Sequence, residues 1–176
     1  VYSRGIHLDG YCDTMDAIAG GRNREHILEI LRDSHVGALG VVGVVFLMLL
    51  KYISLASLPS AAKPAVLLGM PVAAYWTMVV ISFTQRYARA GDGLGRPFTD
   101  HVRPSDLAVA TGITVVLSVL FLGSAAFPLV ASSAVFVILF GEYFRAKIGG
   151  VTGDVIGAAK EIDEAVFLLT ALVVLR

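Results

Sequence analysis

Residues 36–58, VGALGVVGVVFLMLLKYISLASL, decide the fold class. The stretch carries one charge, Lys51, and otherwise only apolar residues, small hydroxyls and Tyr52. A bilayer core asks for about 20 consecutive apolar residues per helix, with a range of about 17–25, and this run supplies them. Residues 65–83 form a second such run. Residues 107–122 and 125–140 lie near the lower limit, and 165–175 are shorter still. Gly123, Ser124 and Pro128 break the chain between the third and fourth runs, as a helical hairpin needs. The expectation is an all-α, polytopic integral membrane bundle of about five membrane helices. Residues 1–176 are read as a single membrane-embedded domain.

Composition supports a lipid solvent. Of 176 residues, 56% are hydrophobic and 16% charged, with a mean hydropathy of +0.77. Soluble domains carry about 25% charged residues, so an ordinary water-soluble globule is excluded. Fourteen basic and fourteen acidic side chains cancel, which removes the electrostatic footprint of a nucleic-acid binder. The single cysteine, Cys12, excludes an internal disulfide framework and a thiolate metal site. The chain opens at Val1 with no signal-peptide pattern, and is expected to be part of a longer protein.

The charges are sorted. If five helices alternate, segments 1–35, 84–106 and 141–164 share one side. They hold Arg4, Arg22, Arg24, Arg32, Arg86, Arg89, Arg96, Arg103, Arg145, Lys147 and Lys160, which is 11 of the 14 basic residues. Every acidic residue and all four histidines fall there too. The positive-inside tendency places that side in the cytoplasm. Within segment 22–35, Ile27, Leu28, Ile30 and Leu31 recur at helical spacing among charges, as in an amphipathic helix on the membrane surface. Lys51 lies about 22 Å along its helix from Val36, and snorkelling to the far interface is favoured over pairing inside the bundle.

Three clusters could carry chemistry. In His7-Leu-Asp9-Gly-Tyr-Cys-Asp13-Thr-Met-Asp16, the aspartates sit four and seven residues apart, on one helical face. Carboxylates held so close repel unless a cation lies between them. An oxygen-rich set of this kind suits Mg²⁺, which leaves room for water and substrate phosphates; a solvated helix face is the plain alternative. His7, beside Asp9, is placed to orient a substrate. The second cluster is Gly149-Gly150-Val-Thr152-Gly153-Asp154, followed by Glu161. Thr152 or Asp154 is a candidate cap, and Asp154 and Glu161 share a face that Asp163 does not. The third, residues 86–96, interleaves Arg86, Arg89 and Arg96 with Gly91, Gly93 and Gly95. It reads as an anion nest reinforced by guanidinium groups, with a basic loop on lipid headgroups as the alternative.

Taken together these motifs resemble the adenosylcobinamide-GDP ribazoletransferase, or cobalamin synthase, family. The matching residues are Arg4-Gly5-x-His7-Leu8-Asp9-Gly10-x-x-Asp13-Thr14-x-Asp16, Leu28-Glu29-Ile30-x-x-Asp33-Ser34, Arg86-Tyr87-Ala88-Arg89, Gly93-Leu94-Gly95, Phe98 and Gly149-Gly150-x-Thr152-Gly153-Asp154 with Glu161 and Glu164. Ala17 stands where the family usually has Gly, and His35 where it often has Arg. The resemblance implies transfer of phosphocobinamide from adenosylcobinamide-GDP to α-ribazole, or its 5′-phosphate, with release of GMP. It implies Mg²⁺ as cofactor and a multi-pass protein of the bacterial inner membrane. It also implies about sixty further residues upstream. The expected catalytic residues are Asp9, Asp13, Asp16, Asp154 and Glu161. Asp9, Asp13, Asp16 and Asp154 are the expected metal ligands, and Arg89, Gly93, Gly95, Thr152 and His7 the expected substrate contacts. Membrane lipid and a second copy of the chain are expected partners. Two alternatives stand beside this reading: a membrane CDP-alcohol-type phosphotransferase, and an ion or proton transporter.

Overall fold

The computed structural model describes residues 5–91, 93 and 95–176. Arg4, Asp92 and Leu94, which the sequence reading uses, lie outside the described residues. The chain folds as α1 (Ile6–Gly20), α2 (Arg24–Ile30), α3 (Ala38–Ser57), α4 (Lys63–Thr84), α5 (Arg96–His101), α6 (Pro104–Leu122), α7 (Ala126–Ile148) and α8 (Gly153–Val174). Among the described residues the only β-type pairing is an isolated parallel bridge between Tyr87 and Val151.

Three helical runs are long and apolar enough to cross a membrane: α3, α4 and the 45 residues Pro104–Ile148. The last run is two arms joined by a short turn, Gly123–Ala125. Gly69 of α4 lies beside Leu122, and Trp76 Nε1 donates to Thr111 Oγ1 at 2.9 Å, so α4 and α6 are antiparallel. Gln85, at the end of α4, meets Gly141 and Glu142 of α7, so α4 and α7 run parallel. Hence α6 and α7 form the expected hairpin.

The expected fifth span, residues 165–175, is not a separate segment. It is the C-terminal part of α8, whose first half carries the acidic cluster. One continuous helix therefore joins the polar end of the protein to its apolar interior. It packs against α1, α3, α4 and α7 and supplies the buried side chains Val155, Ala158, Phe167, Leu168 and Ala171.

The amphipathic helix is shorter than its hydrophobic pattern suggests. Asn23 caps it by accepting the His26 N–H at 2.9 Å, and it ends at Ile30. Its apolar residues Ile27 and Leu31 are buried in the same cluster as Phe144 and Ile148, so this face covers α7.

Lys51 does not snorkel. Its Nζ lies 2.6 Å from Glu161 Oε2 and 2.7 Å from Glu164 Oε2, and Lys160 closes the group with contacts to both glutamates. Two positive and two negative side chains, each about nine-tenths buried, thus neutralise one another inside the bundle. The physical reason is mutual: without Lys51, two buried carboxylates would share one ammonium. Asp163, on the other face of α8, is also fully buried and accepts a hydrogen bond from Ser133 Oγ at 3.1 Å.

Breaking a buried ion pair by removing one partner costs about 3–5 kcal/mol. Lys51→Met is therefore expected to lower the melting temperature in detergent sharply. Adding Glu164→Gln should restore part of the loss. An unchanged melting temperature for Lys51→Met would contradict the paired arrangement.

Candidate active site

The polar ends of the helices are tied together by the backbone. Gly149, at φ 81°, ends α7 in the left-handed region. The next residues run back along the strap that follows α4: Val151 N–H donates to Arg86 O at 2.9 Å, and Ala88 N–H to Val151 O at 2.9 Å. A Cβ on Gly150 would lie 2.1 Å from Arg86 O, so this approach needs glycine. Arg24 of α2 bridges the same region, donating to Ile148 O and Ala88 O, both at 2.9 Å. Thr152 then caps α8 by accepting the Val155 N–H.

That strap delivers the start of α8 to α1. At Gly10 a Cβ would stand 2.8 Å from both Asp154 Cα and Asp154 O; the two helices touch backbone to backbone because no side chain intervenes. Two acidic clusters separated by most of the chain are thereby brought together. Asp9 and Asp154 line one cavity of about 350 Å³ together with His7, Gly95 and Gly153. Ile6, Met78, Phe98 and Ile156 complete its wall.

The electrostatics follow from that crowding. Burial, then the charges of Asp9, Asp154 and Asp16, push the Asp13 carboxyl up to about 6, against a smaller opposing pull from Arg89. Arg89 Nη2 donates to Asp154 Oδ2 at 2.9 Å and to Leu31 O at 2.7 Å. Burial, with help from the Lys160 charge, holds His7 below the usual histidine range. His7 Nδ1 and Arg89 Nε are buried with no hydrogen-bond partner among the described residues. The His7 ring stands edge-on to Tyr75, centroids 5.7 Å apart.

The expected site residues divide into three groups. Asp9, Asp13, Asp154, Arg89, His7 and Gly95 converge on or beside the cavity. Asp16 faces elsewhere: its carboxylate accepts the N–H groups of Gly37 and Gly40, both at 2.8 Å, at the start of α3. It caps that helix and meets its positive dipole end. Glu161 belongs to the buried lysine–glutamate group, about two turns into α8. The basic loop also splits. Arg89 faces Asp154, Arg96 binds Asp100 and Gly91 O, and Arg86 lines a different cavity with Arg145. Gly93 packs against the Tyr87 hydroxyl. Met78 lies in an apolar run, and only the packing of α4 against α8 reveals it as a lining residue.

Among the described residues, no three His, Cys, Asp or Glu side chains form a ready-made metal cage. The donor set nevertheless suits Mg²⁺, which is held by one or two carboxylates and completes its octahedron with water and substrate phosphates. Asp9, Asp13 and Asp154 are the hard oxygen donors at hand, and their mutual repulsion is what a cation would relieve.

The family model described as Cobalamin-5-phosphate synthase matches residues 1–172. The chain belongs to this family. Among curated members, the adenosylcobinamide-GDP ribazoletransferase of Clostridium acetobutylicum is 36% identical, over 97% of this chain and 68% of the relative. The protein of that name from Acetivibrio thermocellus is 36% identical, over 94% of this chain and 66% of the relative. That from Roseiflexus sp. is 38% identical, over 97% of this chain and 63% of the relative. The chain thus spans about two-thirds of the length of these cobalamin synthase relatives. No solved structure matches it.

Asp13 offers a test of the crowding. Its carboxyl titrates at about 6 in the fold against 3.8 ordinarily. The fold therefore favours the protonated form, and ionisation costs stability that builds from about pH 4 to about pH 6 and is fully felt at pH 7. Asp13→Asn is expected to raise the melting temperature at pH 7, with the gain shrinking towards about pH 5. An unchanged or lower value at pH 7 would argue against three crowded carboxylates.

Proposed function

We propose that the cavity between α1 and α8 transfers phosphocobinamide from adenosylcobinamide-GDP to a ribose hydroxyl of α-ribazole, or of its 5′-phosphate, in cobalamin biosynthesis. The observation that carries this reading is the meeting of Asp9, His7, Gly95 and Asp154 around one cavity, in a chain of the cobalamin synthase family. In the reaction the hydroxyl oxygen forms a bond to the phosphorus that bears cobinamide. The bond from that phosphorus to the bridging oxygen breaks, GMP leaves with the electron pair, and the hydroxyl proton passes to a carboxylate of the cluster.

Each side chain has a task that its surroundings favour. Asp9, Asp13 and Asp154 would hold Mg²⁺, which when bound neutralises the diphosphate and stabilises the leaving oxygen. Arg89, already anchored on Leu31 O, has a buried Nε left over and is placed to share its guanidinium between Asp154 and a phosphate. His7, held neutral by burial, offers Nδ1 to the substrate as a hydrogen-bond partner. Asp16 and Glu161 act through the scaffold: one fixes the start of α3 against α1, the other fixes α8 in depth. This reassigns both from the ligand and catalytic roles expected from spacing.

The polar side of the bundle is proposed to face the cytoplasm of a bacterial inner membrane, since the basic residues gather there. One experiment tests activity, metal and orientation together. Vesicles containing the protein are supplied with adenosylcobinamide-GDP and α-ribazole, and GMP is measured. Inside-out vesicles should release GMP only with Mg²⁺, right-side-out vesicles should not, and Asp9→Asn or Asp154→Asn should reduce release by about 100-fold or more. Metal-independent release, or full activity of both variants, would contradict the proposal.

A further inference from the structure

The same cavity has a second chemical face. Beside Asp9 and Asp154 its lining includes Ile6, Met78, Phe98 and Ile156, which offer no strong hydrogen-bonding group. Phe98 lies on α5 between Arg96 and Asp100 and Ile6 at the start of α1, both outside the apolar runs and both exposed. Apolar side chains that line a cavity together with a few polar groups form the usual lining of a small-molecule site.

We propose that this wall is the subsite for the flat aromatic base of the acceptor, with Phe98 and Met78 as its specificity-determining residues. The proposal rests on the transfer reading above. The base of α-ribazole is a dimethylbenzimidazole, whose carbocyclic edge carries two methyl groups and no hydrogen-bonding group. Guanine, the competing candidate, presents donors and acceptors around its rim. Burying them against Ile6, Met78 and Ile156 would leave them unpaired, at about 1–3 kcal/mol per group. The corrin is far larger than a space of about 350 Å³ and has an amide-bearing rim. A benzimidazole has neither problem: it can stack on the Phe98 ring and set its methyl groups against the adaptable Met78 side chain. Its ribose then stays in the cavity that Asp9 and Asp154 also line, where the nucleophilic hydroxyl is needed.

The test separates the two substrates. Phe98→Ala and Met78→Ala are each assayed for KM of α-ribazole and of adenosylcobinamide-GDP, and for equilibrium binding of α-ribazole without the second substrate. Both variants should raise the α-ribazole KM and Kd about tenfold and leave the KM of adenosylcobinamide-GDP unchanged. Phe98→Tyr, which keeps the ring, should restore α-ribazole binding. An acceptor lacking the two methyl groups should bind the parent protein more weakly, with the difference shrinking in Met78→Ala. Phe98 is exposed, so its replacement leaves the bundle intact. A raised KM for adenosylcobinamide-GDP instead, or unchanged α-ribazole binding in both variants, would overturn the subsite. The binding arm needs no turnover: absence of GMP release from the parent would count against the transfer reading, while the α-ribazole Kd values would still decide the subsite.

Discussion

Everything in the candidate site depends on the backbone contact between Gly10 and Asp154. A membrane bundle has little hydrophobic driving force to press one helix on another, so close packing through small residues takes its place. Here the small residue sits between Asp9 and Asp13, and the helix it admits begins with Asp154. Packing and chemistry are therefore one constraint. The gap that lets α8 approach α1 is the gap that sets the third carboxylate beside the first two.

Two charged groups sit on α8, and they are balanced differently. Deeper in the bundle, Lys51, Lys160, Glu161 and Glu164 pair two against two. With their charges satisfied at short range, they fix the register of α8 against α3. At the polar end, Asp154 pairs with Arg89, and among the described residues Asp9 and Asp13 make no ion pair. Their charge is left over, and it adds to burial in pushing the Asp13 carboxyl up to about 6. A structural cluster neutralises itself; a site for a cation and a diphosphate does not. That contrast distinguishes the two better than residue type does, since each contains carboxylates at helical spacing.

Local patterns in the sequence carried much of this. Apolar run length marks α3, α4 and the α6–α7 hairpin, and the spacing of Asp9, Asp13 and Asp16 puts them on one helix because helical geometry is local. Partners across the fold are a different matter. Asp16 shares its face with Asp9 and Asp13, but its carboxylate is taken by Gly37 and Gly40 on the next long helix. Glu161 is in phase with Asp154, yet Lys51 claims it from 110 residues away. A charge inside an apolar span is costly and needs an opposite one. Lys51 was thus a signal that a partner existed, and Glu161 and Glu164, three apart on the one helix both apolar and acidic, were the carboxylates able to reach it. The apolar wall was the least legible part. Met78 lies in a membrane run among similar residues, and only the packing of α4 against α8 gives it a role.

The most direct measurement of the central claim is the transfer rate of Gly10→Ala. A single methyl group at this position would meet the backbone of Asp154 at 2.8 Å and touch no ionisable group. It would move the start of α8 away from α1 while leaving every carboxylate and arginine present. Misplacement of a catalytic group by about 1 Å can cost about 100-fold in rate. The account predicts a variant that inserts and purifies as the parent does but releases GMP about 100-fold more slowly. A Gly10→Ala protein with the parental rate would contradict it, because the site would then not depend on the contact that brings its two halves together.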